Sequence, residues 1–146
     1  MVIEPVHHIP MRPEFNSPFS AAYAVEDCRL LFLSGCACIP PYHMHPHDTE
    51  EEAKWVSPDF RTQVKDTFKH IGEILAAEGG TFRNVVKMTI YFTDPASQQD
   101  IFNEVSREIF GSENPPARTS IGVACFAHPG MFLEVDVIAA VPKKGK

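Results

Sequence analysis

The sequence predicts an α+β fold of order ββαβαββ, with a single mixed sheet and two helices on one of its faces. Three observations lead there. Two stretches repeat apolar residues every three or four positions, two others alternate strictly, and two short apolar runs flank a polar turn near the start. The 146 residues suit one domain over positions 1–146.

Residues 1–18 carry Pro5, Pro10, Pro13 and Pro18, and each proline removes a backbone donor, so this segment is expected to be an extended lead-in. "FSAAYAV" and "RLLFLSGCACI" then read as a hairpin around Glu26–Cys28, the second run being apolar enough for a central strand. Residues 39–57, rich in Pro, His and Glu, exceed the usual link of about 4–6 residues and form a long loop of accessory or functional character. Ser57 and Pro58 are expected to cap a helix carrying Phe60, Val64, Phe68, Ile71 and Leu75 on one stripe and ending at Gly79 and Gly80. In "NVVKMTIYFTD", Val86, Met88, Ile90 and Phe92 oppose Lys87, Thr89 and Tyr91, the period of a strand. Asp94 and Pro95 open a second helix with Ile101, Val105 and Ile109 on its stripe and Gly111 beyond its end. The closing strands span roughly 117–125 and 131–140. In the last one Met131, Leu133, Val135 and Val137 oppose Phe132, Glu134, Asp136 and Ile138, a second face mixed enough to call for cover by another subunit.

Thirteen basic against 19 acidic side chains give a formal charge of −6, which argues against nucleic acid as a partner. No run approaches the roughly 20 apolar residues of a membrane helix or the pattern of a signal peptide, so a cytoplasmic protein without a membrane partner is expected. Four cysteines are too few for a secreted disulfide scaffold, and thiols are expected.

Over residues 19–141 the chain resembles the YjgF/RidA family, most specifically in "PPARTSIGVACFAHPGMFLEVDVIAA", where an Ala-Arg-Thr strand start precedes an apolar-Glu-apolar-acid run ending in Ile-Ala. The resemblance implies a chorismate-mutase-like homotrimer with ligand sites at the subunit interfaces and hydrolysis of reactive enamines or imines to ketones and ammonia. It also implies that Arg118 holds a substrate carboxylate and Glu134 positions water, with Gly35 and Asn103 in support. Two positions depart from the family pattern and bear on the substrate. Phe19 stands where many deaminases have a site-lining tyrosine, and Ser120 where many have a cysteine.

The chemistry suits these residue types. A 2-imino acid carries a carboxylate beside an electrophilic C=N carbon, so a guanidinium fork to bind the acid and a carboxylate to activate water form a minimum set. Such hydrolysis calls for no cofactor and no metal. Arg118 and Glu134 also admit the plainer reading of a salt bridge between strands or subunits. Cys36, Cys38, His43, His45 and His47 form C-x-C-x₄-H-x-H-x-H, whose residue types suit zinc but whose spacing matches no common structural motif; a solvated loop beside core cysteines is the expectation. Glu50, Glu51 and Glu52 read as a solvated face, and Cys125 with His128 as a packed thiol and a loop histidine. The function expected is therefore a hydrolytic deaminase of small carboxylated imines or enamines of the 2-aminoacrylate type, or a pathway-specific relative resembling 2-aminomuconate deaminases. The rival is a non-catalytic trimer that binds metabolites or a protein partner.

Overall fold

A computed structural model describes residues 1–145. The strands are β1 (Val2–Val6), β2 (Ala22–Glu26), β3 (Arg29–Phe32), β4 (Val85–Phe92), β5 (Ala117–Gly122) and β6 (Leu133–Val141). The α-helices are α1 (Thr49–Glu52), α2 (Phe60–Ala77) and α3 (Pro95–Phe110). A mixed four-stranded sheet runs β3-β6-β4-β5, with β4 and β5 parallel and the other pairs antiparallel. β1 and β2 form a separate antiparallel pair.

The α+β class therefore holds, while the single ββαβαββ sheet is corrected in three places. First, the lead-in contains a strand: β1 tolerates Pro5 because an edge strand has donors that need no ladder partner. Second, β2 and β3 are not a paired hairpin. The chain turns at Asp27, whose φ of 52° lies in the left-handed region, and the two strands enter different sheets. Third, the second apolar run, expected to be central, forms the edge strand β3 while β6 is central, and the run's regular pairing stops at Phe32 and resumes only as the isolated bridge Cys36–Val135.

The helices pack on one face of the larger sheet, as the periodicities require. Val64, Phe68, Ile71 and Leu75 of α2 and Phe102 and Val105 of α3 meet Met88, Ile90, Phe92, Leu133, Val135 and Val137, all essentially buried. A mainly aromatic cluster links the two helices through Phe68 and Phe102, 5.6 Å between ring centres. The N-cap of α2 is Asp59 rather than Ser57: its carboxylate accepts from the Thr62 amide at 2.8 Å, while Ser57 Oγ accepts from the Asp59 amide at 3.1 Å. After α2, Gly79 takes φ 75° and the Gly80 amide reaches back to the Leu75 carbonyl at 2.8 Å, closing the helix end.

The opposite sheet face is uncovered within one chain. Register places Leu30, Phe32, Ile138, Asp136, Glu134, Thr89, Tyr91, Thr119 and Ile121 there, and Phe32 is 69% exposed. Among the described residues no helix is long and apolar enough to cross a membrane.

The 39–57 segment is anchored rather than free, and it contains α1 and a 3₁₀ turn at Ala53–Trp55. Its far end is tied to the strand system by Gln63, a fully buried side chain of α2. The Gln63 amide nitrogen donates to the carbonyls of Ser57 (2.7 Å) and Gly130 (2.8 Å), and its oxygen accepts from the Phe132 amide (2.9 Å). Replacement by Met of similar length leaves three part-buried backbone groups without their Gln63 partner. Gln63→Met is expected to cost about 2–4 kcal/mol, read from chemical denaturation, whereas Lys65→Met, at an exposed position of the same helix, costs under about 0.5 kcal/mol.

Candidate functional site

Arg118 is the second residue of β5 and pairs in register with Met88, so its side chain enters the helix side of the sheet. There its Nη2 donates to Asn103 Oδ1 of α3, and the guanidinium lies 5.6 Å from the centre of the Phe102 ring. Nη1 is buried without a hydrogen-bond partner, and among the described residues no carboxylate forms a salt bridge with Arg118. Burial pulls this guanidinium down to about 10, still protonated at neutral pH. An enclosed cation with an idle donor and no counter-ion is set up to receive an anion.

Glu134, the second residue of β6, pairs with Tyr91 on the uncovered face. A Cβ placed on Gly35 would sit 2.0 Å from Glu134 Oε1, so the carboxylate lies directly over the Gly35 backbone and only glycine leaves room for it. Burial, and then the charge of Asp136, push the Glu134 carboxyl above the usual glutamate range. The Tyr91 hydroxyl donates to Asp136 Oδ2 at 3.1 Å, which holds that charge in place. Asp136 and Tyr91 were legible only as members of alternating faces; their contact across β4 and β6 is a matter of register.

The structure thus brings the expected site residues together in two groups. Asn103 stands with Arg118, and Gly35 with Glu134. Arg118 and Glu134 themselves lie on opposite faces, on strands separated by β4, and form no ion pair within the chain. Ser120, two residues after Arg118, is exposed on the same side of β5. Phe19 is 47% exposed and lines a cleft of about 280 Å³ with His7, Ile9, Met11, Phe15 and Pro115. The Ser20 amide, donating to the Pro116 carbonyl at 3.4 Å, ties this cleft to the start of β5. Asn103 also borders a second cleft of about 350 Å³ with Phe15, Pro18, Ser106 and Arg107.

The cysteines take no part in this arrangement. Cys36 and Cys38 are buried, and burial first of all pushes both thiols up to about 11, so neither is a thiolate at neutral pH. Cys125 is exposed rather than packed, because the turn after β5 leaves it outside both apolar clusters. One further expectation is corrected: Glu52 is not on a solvated face but 2% exposed, since α1 turns it inward. His128 lies in the loop before β6, as expected, but is 7% exposed, covered by the 39–57 segment.

The family described as Endoribonuclease L-PSP matches residues 10–141. The Escherichia coli RutC family protein YjgH is 37% identical over 87 residues, 60% of this chain and 65% of that protein. The human 2-iminobutanoate/2-iminopropanoate deaminase is 31% identical over 127 residues, covering 87% of this chain and 82% of the relative. The solved structure of RidA from the Antarctic bacterium Psychrobacter sp. PAMC 21119 superposes with a TM-score of 0.62 at 27% identity, covering 88% of this chain and 93% of the other.

A half-buried cation without a counter-ion among the described residues, one of its donors idle, is a cost to folding that a packed apolar side chain removes. Arg118→Met is therefore expected to leave the protein as stable or more stable, by about 1 kcal/mol, in urea denaturation. A clear loss of stability would show that Arg118 is instead part of the structural framework.

Proposed function

The chain belongs to the Endoribonuclease L-PSP family, the YjgF/RidA family that its closing strands resemble, and we propose that it is a hydrolytic deaminase of small carboxylated imines or enamines, working as a homotrimer. The observation that carries this reading is Arg118, a half-buried guanidinium whose buried Nη1 is idle and which has no carboxylate partner among the described residues. The relatives that include 2-iminobutanoate/2-iminopropanoate deaminase support it. The formal charge of −6 speaks against a polyanionic substrate such as RNA.

In this reading Arg118 fixes the substrate carboxylate through its fork, with Asn103 orienting the guanidinium from behind. Glu134 accepts a proton from water as the oxygen adds to the C=N carbon. Glu134 passes that proton to the nitrogen, giving a carbinolamine, then takes the hydroxyl proton and delivers it to the amine as the C–N bond breaks, so that a ketone forms and ammonia leaves. A carboxyl raised by burial is suited to both directions of that transfer.

Because Arg118 and Glu134 sit on opposite faces of one sheet, a second copy must supply one of them. The uncovered face with Leu30, Phe32, Ile138 and Ile121 gives the copies an apolar surface to share. Light scattering coupled to gel filtration is expected to give three times the chain mass. A folded monomer with full turnover would overturn the shared site. Phe19 in place of a hydroxyl-bearing residue favours a bulkier or more apolar substrate over the smallest imino acids.

The decisive test pairs variants on one coupled assay in which an unstable imino acid is generated in place and ammonia is measured. Glu134→Gln is expected to lower kcat by about 100-fold or more with ligand affinity kept. Arg118→Lys is expected to raise KM, because a point charge loses the two-pronged contact. Gly35→Ala should act like a mild Glu134 variant, since its methyl group displaces Oε1. Normal turnover by a folded Glu134→Gln assembly would leave binding as the function.

The pH profile follows from the same groups. Glu134 works ionised, so the acid limb of kcat should have its midpoint above the ordinary glutamate value and fall away at lower pH. Asp136→Asn removes a charge that raises Glu134, and the limb should move to lower pH. For stability the sign is opposite: a raised folded pKa means that Glu134 favours folding at low pH, and that contribution is lost as pH rises through its folded pKa. An acid limb unmoved by Asp136→Asn would separate Glu134 from the titration.

A further inference from the structure

The 39–57 segment gathers groups that the proposed hydrolysis does not use. His43, His45 and His47 hold one ligand atom each within 4.8 Å of one another, and their ring centres lie 4.7 to 5.1 Å apart. Beneath them is Glu52, whose side chain is only 3% exposed. Its Oε1 is 2.7 Å from His47 Nδ1 and 3.6 Å from His43 Nε2. Its Oε2 is 3.7 Å from Nε2 of His128, which comes from the turn before β6.

The tautomers make this cluster unusual. His43 Nδ1 is 2.8 Å from the Pro40 carbonyl, and His128 Nδ1 is 2.6 Å from the Pro129 carbonyl. A carbonyl only accepts, so in each ring Nδ1 carries the proton and Nε2 of the neutral imidazole presents a lone pair. Both lone pairs face the carboxylate, another acceptor. Accordingly His43 Nε2, His128 Nε2 and Glu52 Oε2 are all buried without a hydrogen-bond partner. Three enclosed acceptors gathered about the two oxygens of one carboxylate are unfavourable unless a cation lies among them. Their spacings of 3.6 and 3.7 Å are too long for hydrogen bonds but near the roughly 3.3 Å between ligands of a tetrahedral ion with bonds of about 2.0–2.1 Å. Imidazoles whose Nδ1–H is held by a backbone carbonyl are also oriented as metal-bound histidines are.

We propose that His43, His47, Glu52 and His128 bind one divalent transition-metal ion of zinc's class, which clamps the 39–57 segment to the turn preceding β6. Nitrogen and carboxylate donors suit zinc, cobalt or nickel and not magnesium, which prefers oxygen alone. The near-complete enclosure of Glu52 and His128 makes the site structural, and its ligands are distinct from Arg118 and Glu134. His45 and His47 are both exposed, but only His47 reaches Glu52, so His45 stays outside the four. The two buried cysteines, Cys36 and Cys38, lie in different surroundings and are not ligands.

The test loads chelator-treated full-length protein with zinc and measures metal content by mass spectrometry, with affinity by competition against a chromophoric chelator. One zinc per chain is expected, with no competition from magnesium. Cobalt should give the visible bands of a four-coordinate site. Glu52→Gln and His128→Gln should each weaken zinc binding by at least about 100-fold, while exposed His8→Gln leaves it unchanged. Zinc removal should also speed proteolytic cleavage within 39–57. Absence of stoichiometric zinc in the folded wild-type protein overturns the proposal. So does zinc binding that survives Glu52→Gln and His128→Gln, which would mean chelation by the surface histidines alone. If Glu52→Gln does not fold, His128→Gln and the wild-type cobalt spectrum decide.

Discussion

The central position of β6 is the constraint on which the rest of the molecule depends. Because successive side chains of a strand point to opposite faces, committing Leu133, Val135 and Val137 to the helix-covered core sends Glu134, Asp136 and Ile138 to the other side. With β3 on one flank and β4 on the other, these acids are half-buried rather than solvated. Burial raises the Glu134 carboxyl, and the backbone of Gly35 passes close enough beneath it that a larger residue would displace it. A slip of one residue in β6 would lose the core and the carboxylate site together.

The same geometry separates the cation from the carboxylate. Arg118 turns into the helix side of β5 against Phe102 and Asn103, and Glu134 faces away from the helices. One chain therefore holds two incomplete halves of the proposed site. The apolar residues left bare beside Glu134 link assembly and chemistry in the proposed function: covering Phe32 and Ile121 with another copy removes exposed apolar surface and brings foreign side chains to the uncovered face. Retaining a half-buried guanidinium without a counter-ion among the described residues works against stability, which is the usual sign of a group kept for binding rather than for folding.

The long segment between β3 and α2 is organised by polar side chains. Gln63 satisfies three backbone groups from two distant loops, and Glu52 gathers histidines from both sides of the same junction. Apolar packing there is small, comprising Ala37, Cys38, Ile39 and Met131 with Trp55, Val56 and Phe126 at its edges. A junction with so small a core relies on directional contacts to hold one arrangement.

By itself the sequence determined the α+β class, the two amphipathic helices, the face assignment within β4 and β6, and Arg118 and Glu134 as the residues to question. All of these follow from periodicities of 3.6 and 2, which backbone geometry imposes locally, or from a short motif within one stretch of chain. Only the tertiary structure decided that Val2–Val6 is a strand despite Pro5, that β3 is an edge broken before Cys36, and that Glu52 of an acidic run is buried. It also decided that Arg118 has no counter-ion among the described residues, and that His128 meets Glu52, 76 positions earlier. Burial and the pairing of polar atoms depend on which distant segments close over a residue, and no local periodicity records that.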